Sequence, residues 1–322
     1  MRAFNITEND AGQRIDKFLS KAVKKLPKSL MYKYIRTKRI KLNRGRCQIN
    51  TMLEEGDLLE LYISDEFFDD DIDKNFLRAS RTLDIIYEDG NILLVNKPCG
   101  IVVHEDSKNT VDTLINRILR YLYDKGEYDP VKENSFTPAL CNRIDRNTGG
   151  IVIAAKNAIT LRTMNQLIKN RLVDRRYLCL VQGQLPKESD EITAYHQVLG
   201  DENIVKITDN KVNNSKIMIT RYNVLDYAGG VSLIEAELIT GRKHQIRAHF
   251  AHIGSPLVGD RKYGDNALGD AMGINNQALY SYKLGFSLNG QGGDLSYLDG
   301  EVFESRWIWF TDKFEKYKNK AR

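Results

Sequence analysis

One aspartate stands between two arginines in residues 141–150, CNRIDRNTGG. The guanidinium groups of Arg143 and Arg146 would keep a partly buried Asp145 carboxylate ionised. An ionised carboxylate can serve as a nucleophile or as an electrostatic stabiliser of positive charge. The two glycines that end the segment would let another backbone or a ligand approach closely. A surface turn with a local ion pair is the alternative interpretation.

A second group of polar residues occupies residues 238–249, LITGRKHQIRAH. A turn that begins at Gly241 leads cationic and amide side chains into the start of a helix, and such an arrangement can bind phosphate. We therefore predict RNA contacts for Arg242, His244 and Gln245, and also for Arg143 and Arg146 of the first segment. An amphipathic surface helix is the alternative. In a third segment, Tyr177 stands at the head of a predicted buried strand behind two arginines, where a core tyrosine is the default.

The sequence contains no motif typical of a nucleotide, dinucleotide or zinc-protease site, and no nucleophile elbow. His244, His249 and His252 are the residues that most resemble a metal site. On one helix, His244 would lie more than a turn from the other two, so we predict no metal. We also predict that no small-molecule cofactor is needed.

Positive charge is concentrated near the N-terminus of this 322-residue chain, whose formal net charge is +5. Residues 14–46 contain thirteen basic side chains against one acid, Asp16. Such a patch is typical of a surface that binds a polyanion. The residues that we predict to contact RNA phosphates here are Arg14, Lys33, Arg36, Lys38 and Arg39.

Hydrophobic periodicity predicts an N-terminal module over residues 1–64, an acidic linker over 65–79 and a larger domain over 80–322. The module should contain two short helices within 15–35 and strands at 40–43 and 58–63. In the larger domain, a hairpin turn is predicted at 88–91, helices at 111–123, 158–169 and 244–252, and strands at 150–155, 177–182, 216–225 and 231–238. Helices and strands do not alternate strictly, so we predict an α+β fold with a mixed, largely antiparallel central sheet and flanking helices.

Composition narrows the class of protein further. No apolar run reaches the roughly 18 residues of a membrane-spanning helix, and residues 1–16 lack the apolar core of a secretory signal. The four cysteines are far apart and form no CxxC pair, which favours reduced thiols. We therefore expect a cytoplasmic protein without a membrane partner.

Three ordered motifs resemble those of the Rlu-type pseudouridine synthases, which isomerise uridine in structured RNA. NKPCGIVVH at 96–104 resembles the family's first motif, NRIDRNTGGIVI at 142–153 resembles its catalytic HRLDxxTSG motif, and residues 241–264 resemble its C-terminal motif. Residues 12–19 and 54–61 are similar to the S-four RNA-binding module that accompanies many members. The resemblance covers most of the chain.

The resemblance implies roles for individual residues in a pseudouridine synthase fold. Asp145 would be the catalytic aspartate, Tyr177 would pack on the uracil, and Arg247 would be the basic partner of the aspartate. Arg143 would help to displace or replace the flipped nucleotide. The chain departs from the family at three positions, since Asn142 replaces a histidine, Gly149 a serine and Lys243 a threonine.

The resemblance implies a cofactor-free enzyme that acts on RNA, with large-subunit ribosomal RNA favoured because members with that substrate carry the S-four module. Transfer RNA is the nearest alternative substrate. A non-catalytic RNA-binding or ribosome-assembly factor with the same fold is the alternative from another functional class. A glycosidase is disfavoured because the motifs show no obvious second acid beside Asp145. The absence of a coiled-coil pattern favours a monomer.

Overall fold

The computed structural model describes residues 1–68, 74–105, 110–198 and 205–321. Within these ranges, the first unit contains strands β1, β2 and β3 and helices α1 and α2. Their bounds are β1 Arg2–Asn5, α1 Ile15–Ala22, α2 Lys28–Arg36, β2 Ile40–Leu42 and β3 Leu58–Leu61. The two predicted helices and the two predicted strands are thus present, and β1 is an addition.

The N-terminal unit, defined here as residues 1–68, has its own hydrophobic core. Its sheet has the order β1-β3-β2 with antiparallel neighbours. Both helices place apolar side chains on this sheet, and Phe18 and Leu19 of α1 are fully buried. The core extends from Ile6 to Phe68, so the basic side chains of both helices are carried by a rigid base.

A short segment joins this core to the rest of the chain. Single 3-10 turns lie at Asp65–Phe67 and Asn75–Arg78. Phe68 packs in the N-terminal core, whereas Phe76 packs in the core of the larger sheet beside Tyr123 and Tyr128. The predicted linker therefore carries an aromatic anchor on each side, and its residues 69–73 lie outside the described residues.

The remaining described residues form one large sheet with flanking helices. The elements are β4 Ile85–Glu88, β5 Ile92–Lys97, α3 Leu114–Asp124, β6 Ala139–Leu140, β7 Gly149–Ala155, α4 Ala158–Lys169, β8 Val173–Gln182, β9 Ser189–Val198, β10 Val205–Thr208, β11 Lys216–Ala228, β12 Val231–Leu238, α5 Gln245–His252, α6 Ala267–Met272, β13 Leu279–Phe286, β14 Val302–Glu304 and α7 Thr311–Ala321. Among the described residues, none of the helices has the length and apolarity that a membrane span requires.

The order of the large sheet confirms the predicted mixed, largely antiparallel α+β fold. Its main path is β10-β9-β11-β12-β8-β13-β7-β5-β4, with β14 beside β13 and β6 beside β7. The β13–β7 pair is parallel, and the other pairs of the described sheet are antiparallel. The central strands β5, β7 and β8 are buried on both faces over most of their length, which provides a rigid floor for a site.

Several sequence predictions need correction. Strand β8 begins at Val173 rather than at Tyr177, so Tyr177 lies in mid-strand and not at the strand's head. Arg175 and Arg176 belong to the strand, and the run of three consecutive polar residues at 174–176 hid the alternation expected of a strand. Helix α3 begins at Leu114 because Thr113 caps it, its side chain accepting a hydrogen bond from the Asn116 backbone N–H. Strands β1, β6, β9, β10, β13 and β14 and helices α6 and α7 were not predicted.

Candidate active site

The turn that carries Asp145 is held from behind by a buried lysine. The Lys97 ammonium, at the end of β5, donates to the carbonyl oxygens of Pro98, Ile101 and Arg146, each at 2.9 Å. The Gly100 N–H donates to the same Arg146 carbonyl at 2.9 Å. Burial lowers the pKa of Lys97 to about 8, although the nearby Cys99 and Asp145 act in the opposite direction. The backbone beside Asp145 is therefore fixed by donors from the 97–101 turn.

The two glycines after the turn allow close approach of another backbone, as their positions in the sequence predicted. Gly150 has φ of +113°, and a Cβ at this position would lie 2.1 Å from the carbonyl oxygen of Ser281. A Cβ on Gly149 would lie 2.5 Å from the Tyr280 ring. The glycines thus permit the parallel contact of β7 with β13. This contact brings β13 beside the aspartate turn.

Two departures from the family motif also have structural explanations. The side-chain oxygen of Asn142 accepts a hydrogen bond from the Ile153 N–H at 2.8 Å, and so extends the pairing beside β7. Gly149 leaves the space that the Tyr280 ring occupies. Tyr280 in turn donates to the Asn96 side-chain oxygen at 2.7 Å. Both departures therefore affect the strands that hold the Asp145 turn in place.

Arg247, in helix α5, joins two carboxylates. Its Nη1 donates to Asp145 Oδ2 at 2.8 Å, and its Nε and Nη2 donate to the two oxygens of Asp260 at 2.7 and 2.8 Å. Burial alone would lower the pKa of Arg247, but Asp260 and Asp145 outweigh that effect and raise it. Arg247 is therefore a fixed cation, held by a bidentate pair on one side and presented to Asp145 on the other.

The Asp145 contact corrects the first interpretation of its surroundings. Its closest described cationic partner is Arg247, 102 residues away in sequence, while Arg143 and Arg146 are exposed. A second acid, Asp260, is also present in the C-terminal motif, where sequence reasoning found none. Asp260 is fully buried behind Arg247, so it orients the arginine and does not pair with Asp145 in the manner of glycosidase carboxylates.

His244 lies at the site as well, at the turn that starts α5. Its backbone is left-handed, with φ of +54°, and its Nδ1 is 2.8 Å from the Tyr263 hydroxyl. Its Nε2 is 3.8 Å from Asp145 Oδ2. Burial lowers the pKa of His244 to about 4 even though Asp145 favours its charged form. The ring is consequently neutral at physiological pH.

Tyr177 provides an aromatic wall. Its side chain is 4% exposed and projects from β8 on the face that also carries Cys179 and Leu279 of β13. Burial raises the pKa of Tyr177, and its hydroxyl interacts with Ser281. The neutral phenol is therefore anchored at its polar end, which leaves its ring to contact a ligand.

These residues line one open cavity of about 60 Å³. Asp145, His244 and Arg247 supply its polar wall, and Tyr177 supplies an aromatic one. The other lining residues are Arg143, Ile144, Thr148, Leu238, Arg242, Gln245, Ile246 and Leu279. A carboxylate and an aromatic ring that line one slot suit a small ring that carries polar edges.

The predicted RNA-binding residues around the cavity have different surroundings. Arg143 lies at the rim with its side chain exposed, and Arg146 is exposed on the same turn. The Nε of Arg242 donates to the Ile217 carbonyl at 3.1 Å. Gln245 is buried, and its oxygen accepts from the Thr240 hydroxyl and the Arg242 N–H.

Gln245 therefore supports the turn from inside. Its amide nitrogen also donates to the Ile219 carbonyl at 2.8 Å and to the Thr220 hydroxyl at 3.0 Å. Because both ends of the amide are occupied by protein atoms, the structure gives this side chain a positioning role. The predicted contact of Gln245 with RNA stays a prediction.

The N-terminal basic residues lie apart from the cavity in the N-terminal unit. Lys33, Arg36, Lys38 and Arg39 are exposed at and just beyond the end of α2. The guanidinium of Arg39 lies over the Tyr34 ring, with its carbon 5.6 Å from the ring centroid. Arg14 instead forms a bidentate pair with Asp16, at 3.0 and 2.9 Å.

Sequence reasoning did not single out Lys97, Asp260 or Tyr263. A signal for each was present, because Lys97 belongs to the NKPCG segment and the other two belong to the GDRKYG segment of the C-terminal motif. No group of three potential metal ligands occurs among the residues that the structure describes. There, His249 bonds with the Thr220 hydroxyl and His252 with Asp209.

Comparison with known proteins gives the context of this geometry. A model of the RNA pseudouridylate synthase family matches residues 91–252. The chain is 31% identical to the ribosomal large subunit pseudouridine synthase C of Haemophilus ducreyi over 297 residues, which cover 88% of this chain and 87% of the relative. It is 32% identical to an uncharacterized RNA pseudouridine synthase of Mycoplasma capricolum over 320 residues, which cover 97% and 99%.

A solved structure agrees with these matches. Human RNA pseudouridylate synthase domain containing 1 superposes with a TM-score of 0.51 and 26% identity, covering 63% of this chain and 78% of the human one. The family match spans β5 to α5 and so contains Asp145, Tyr177 and Arg247. This chain therefore belongs to the RNA pseudouridylate synthase family and is an RNA pseudouridine synthase, an isomerase.

Proposed function

We propose that this enzyme isomerises uridines in large-subunit ribosomal RNA and that Asp145 is its catalytic residue. The observation that carries the assignment of Asp145 is its contact with Arg247 at 2.8 Å inside a cavity walled by Tyr177. The ribosomal target is supported by the name of the Haemophilus ducreyi relative. Transfer RNA is the alternative target.

The reaction requires the bond between uracil N1 and ribose C1′ to break and a bond between C5 and C1′ to form. N1 gains a proton and C5 loses one, so no oxidant, reductant or further reactant is consumed. An ionised carboxylate can start the reaction by attacking the sugar or by taking a proton from it. Both routes require a charged Asp145, to which the adjacent Arg247 guanidinium donates a hydrogen bond at 2.8 Å.

The cavity explains how the base is held while it turns. We assign to Tyr177 the face of the uracil ring, because its own ring lines the slot while its hydroxyl is engaged with Ser281. The target base must leave its stack to reach this slot, at a cost of a few kcal/mol. In this proposal Arg143, which is exposed at the rim, fills the space that the base vacates, and Arg146 and Arg242 contact phosphates.

The N-terminal unit extends the RNA surface in this proposal. We propose that it is an S-four-like module covering residues 1–64, followed by a linker and a catalytic domain over 80–322. Its separate core and its cluster of exposed basic residues support that division. We further propose that the enzyme acts as a cytoplasmic monomer without a cofactor. The phosphate contacts of the N-terminal unit should raise the affinity for RNA without reading its base sequence.

The decisive experiment is pseudouridine mapping of total RNA from cells with the wild-type chain, without it, and with Asp145→Asn. We expect the same large-subunit ribosomal sites to be lost in the deletion strain and in the variant. Loss confined to transfer RNA would overturn the ribosomal target. Sites lost in the deletion strain but retained with Asp145→Asn would overturn the role of Asp145.

A further inference from the structure

The N-terminal unit contacts the larger domain through a buried carboxylate. Asp10 is fully buried, and its oxygens accept hydrogen bonds from Asn134 Nδ2 at 2.7 Å and Ser135 Oγ at 2.6 Å. The Thr7 hydroxyl and backbone N–H, from the same unit as Asp10, donate to it at 2.9 and 3.2 Å. Asp10 is thus fully engaged only when the two units are together.

Neighbouring residues widen this contact. The amide of Asn9 donates to Glu133 at 3.0 Å, and its oxygen accepts from the backbone N–H of Ala158, the first residue of α4, at 3.0 Å. Asn134 also donates to the Asn5 carbonyl at 2.9 Å. Gln13 adds a hydrogen bond to the Ser135 hydroxyl at 3.1 Å. We call this set of contacts the inter-unit dock, formed by residues 5–13 on one side and by 133–135 and Ala158 on the other.

The chemistry of the inter-unit dock fixes orientation as well as contact. Hydrogen bonds weaken steeply when their angles change, so a polar contact does not tolerate sliding as an apolar one does. Separation would also leave the Asp10 carboxylate without two of its partners. On the larger domain, the Arg162 guanidinium lies against Gly12, where a Cβ would be 3.3 Å from Nη2. The two units therefore meet in one defined geometry.

The inter-unit dock is close in the chain both to the basic helices and to the Asp145 turn, so it can fix the position of one relative to the other. Helix α1 begins at Ile15, two residues after the dock ends, and the Ile15 N–H bonds within the N-terminal unit to the Thr51 carbonyl. On the other side of the dock, residues 133–135 lie shortly before β6 (Ala139–Leu140), which leads into the Asp145 turn. The dock is therefore a direct bridge between the basic helices and the active-site frame.

We propose that the inter-unit dock holds the basic surface at a fixed position relative to Asp145 and so determines which uridines of a large RNA reach the active site. This inference rests on the proposed function, because it takes the basic surface to bind the substrate RNA. Asn9, Asn134 and Ser135 are positioning residues in this scheme. They act on the choice of uridine and leave the chemical step unchanged.

The test compares Asn134→Ala/Ser135→Ala with wild type and with Lys132→Ala, a control on the same loop whose side chain is 83% exposed. Hydrogen exchange without RNA should show faster exchange of residues 5–13 and of the Ala158 amide in the double variant alone. Steady-state assays then use an unmodified large-subunit ribosomal RNA transcript and a short hairpin with one target uridine. We expect kcat/KM to fall about tenfold on the transcript, chiefly through KM, and to stay within twofold on the hairpin.

Asn9→Ala breaks the dock from the N-terminal side, and Ser135→Thr retains the hydroxyl. Asn9→Ala should reproduce the exchange and KM changes of the double variant, and Ser135→Thr should have wild-type values of both. Unchanged exchange, or equal losses on both RNAs, would overturn the proposal. If wild type forms no pseudouridine in the transcript, the proposed target is overturned instead, whereas the exchange measurement still tests the dock.

Discussion

Arg247 donates a hydrogen bond from Nη1 to Asp145 at 2.8 Å, while its Nε and Nη2 both donate to Asp260. The two acids therefore differ in role although they share one arginine. Asp145 borders the cavity, whereas Asp260 is buried behind the cation. This asymmetry makes the position of the cation depend on a residue that does not line the cavity.

The first prediction concerns Asp260→Asn. The neutral amide cannot accept hydrogen bonds from both Arg247 nitrogens, so the guanidinium should shift. This shift should lower the single-turnover rate about 100-fold. Weakening this buried pair should also cost about 3 kcal/mol of the free energy of unfolding. Asp270→Asn is the matched control, because its side chain is 63% exposed and its contact with Arg261 is a surface pair. A wild-type rate in folded Asp260→Asn would contradict the positioning role.

The second prediction concerns stability in mild acid. Burial lowers the pKa of both His244 and His249 to about 4, whereas an unfolded histidine titrates near 6.5. Between these values the unfolded state binds more protons, so stability falls as the pH falls through this window. Each histidine should account for about 1 kcal/mol of the loss between pH 7 and 5.5.

Urea unfolding at the two pH values measures this loss. His249→Gln should have a smaller difference between pH 7 and 5.5 than wild type, whatever its stability at pH 7. Lys132→Ala is the control, since its side chain is 83% exposed and it is not a partner of either histidine. An identical pH difference in His249→Gln and wild type would exclude a contribution from this buried ring.

The third prediction concerns the glycine pair. Gly149→Ser restores the residue usual in the family but places a Cβ against the Tyr280 ring, so it should destabilise the fold by about 2 kcal/mol. Shortening the opposing side chain in Gly149→Ser/Tyr280→Leu should recover part of that loss, and a double-mutant cycle measures the coupling. Gly90→Ala, where a Cβ meets no atom within 4 Å, is the control. Strict additivity would show that the two positions do not interact.

The sequence could predict features that depend on local pattern. The Asp145 turn, helix α4 and strand β12 each have their information within about a dozen residues, through turn residues and an uninterrupted apolar period. The close approach at Gly149 and Gly150 could be predicted for the same reason, because two adjacent glycines after a turn signal backbone proximity.

Features that depend on distant partners could not be predicted from periodicity. The Asp145–Arg247 contact joins residues 102 positions apart, and without a resemblance nothing local pairs them. Strand β9 contains polar residues on both faces, so its apolar alternation is too weak to identify it. The contact of Lys97 with the Asp145 turn could not be derived from periodicity either, since its third acceptor, the Arg146 carbonyl, is 49 positions away.

The last prediction concerns the basic surface of the N-terminal unit. Lys33→Gln/Arg36→Gln removes two exposed charges from α2. If both side chains contact phosphates, the slope of log Kobs against log salt should become shallower by about 1.5, because binding of the variant then releases fewer counterions from the RNA. The slope is obtained by measuring binding to the large-subunit ribosomal RNA transcript at salt concentrations between roughly 50 and 200 mM. Lys187→Gln is the control, since Lys187 is paired with Asp190 outside the N-terminal unit. An unchanged slope in the double variant would place the phosphate contacts elsewhere on the enzyme.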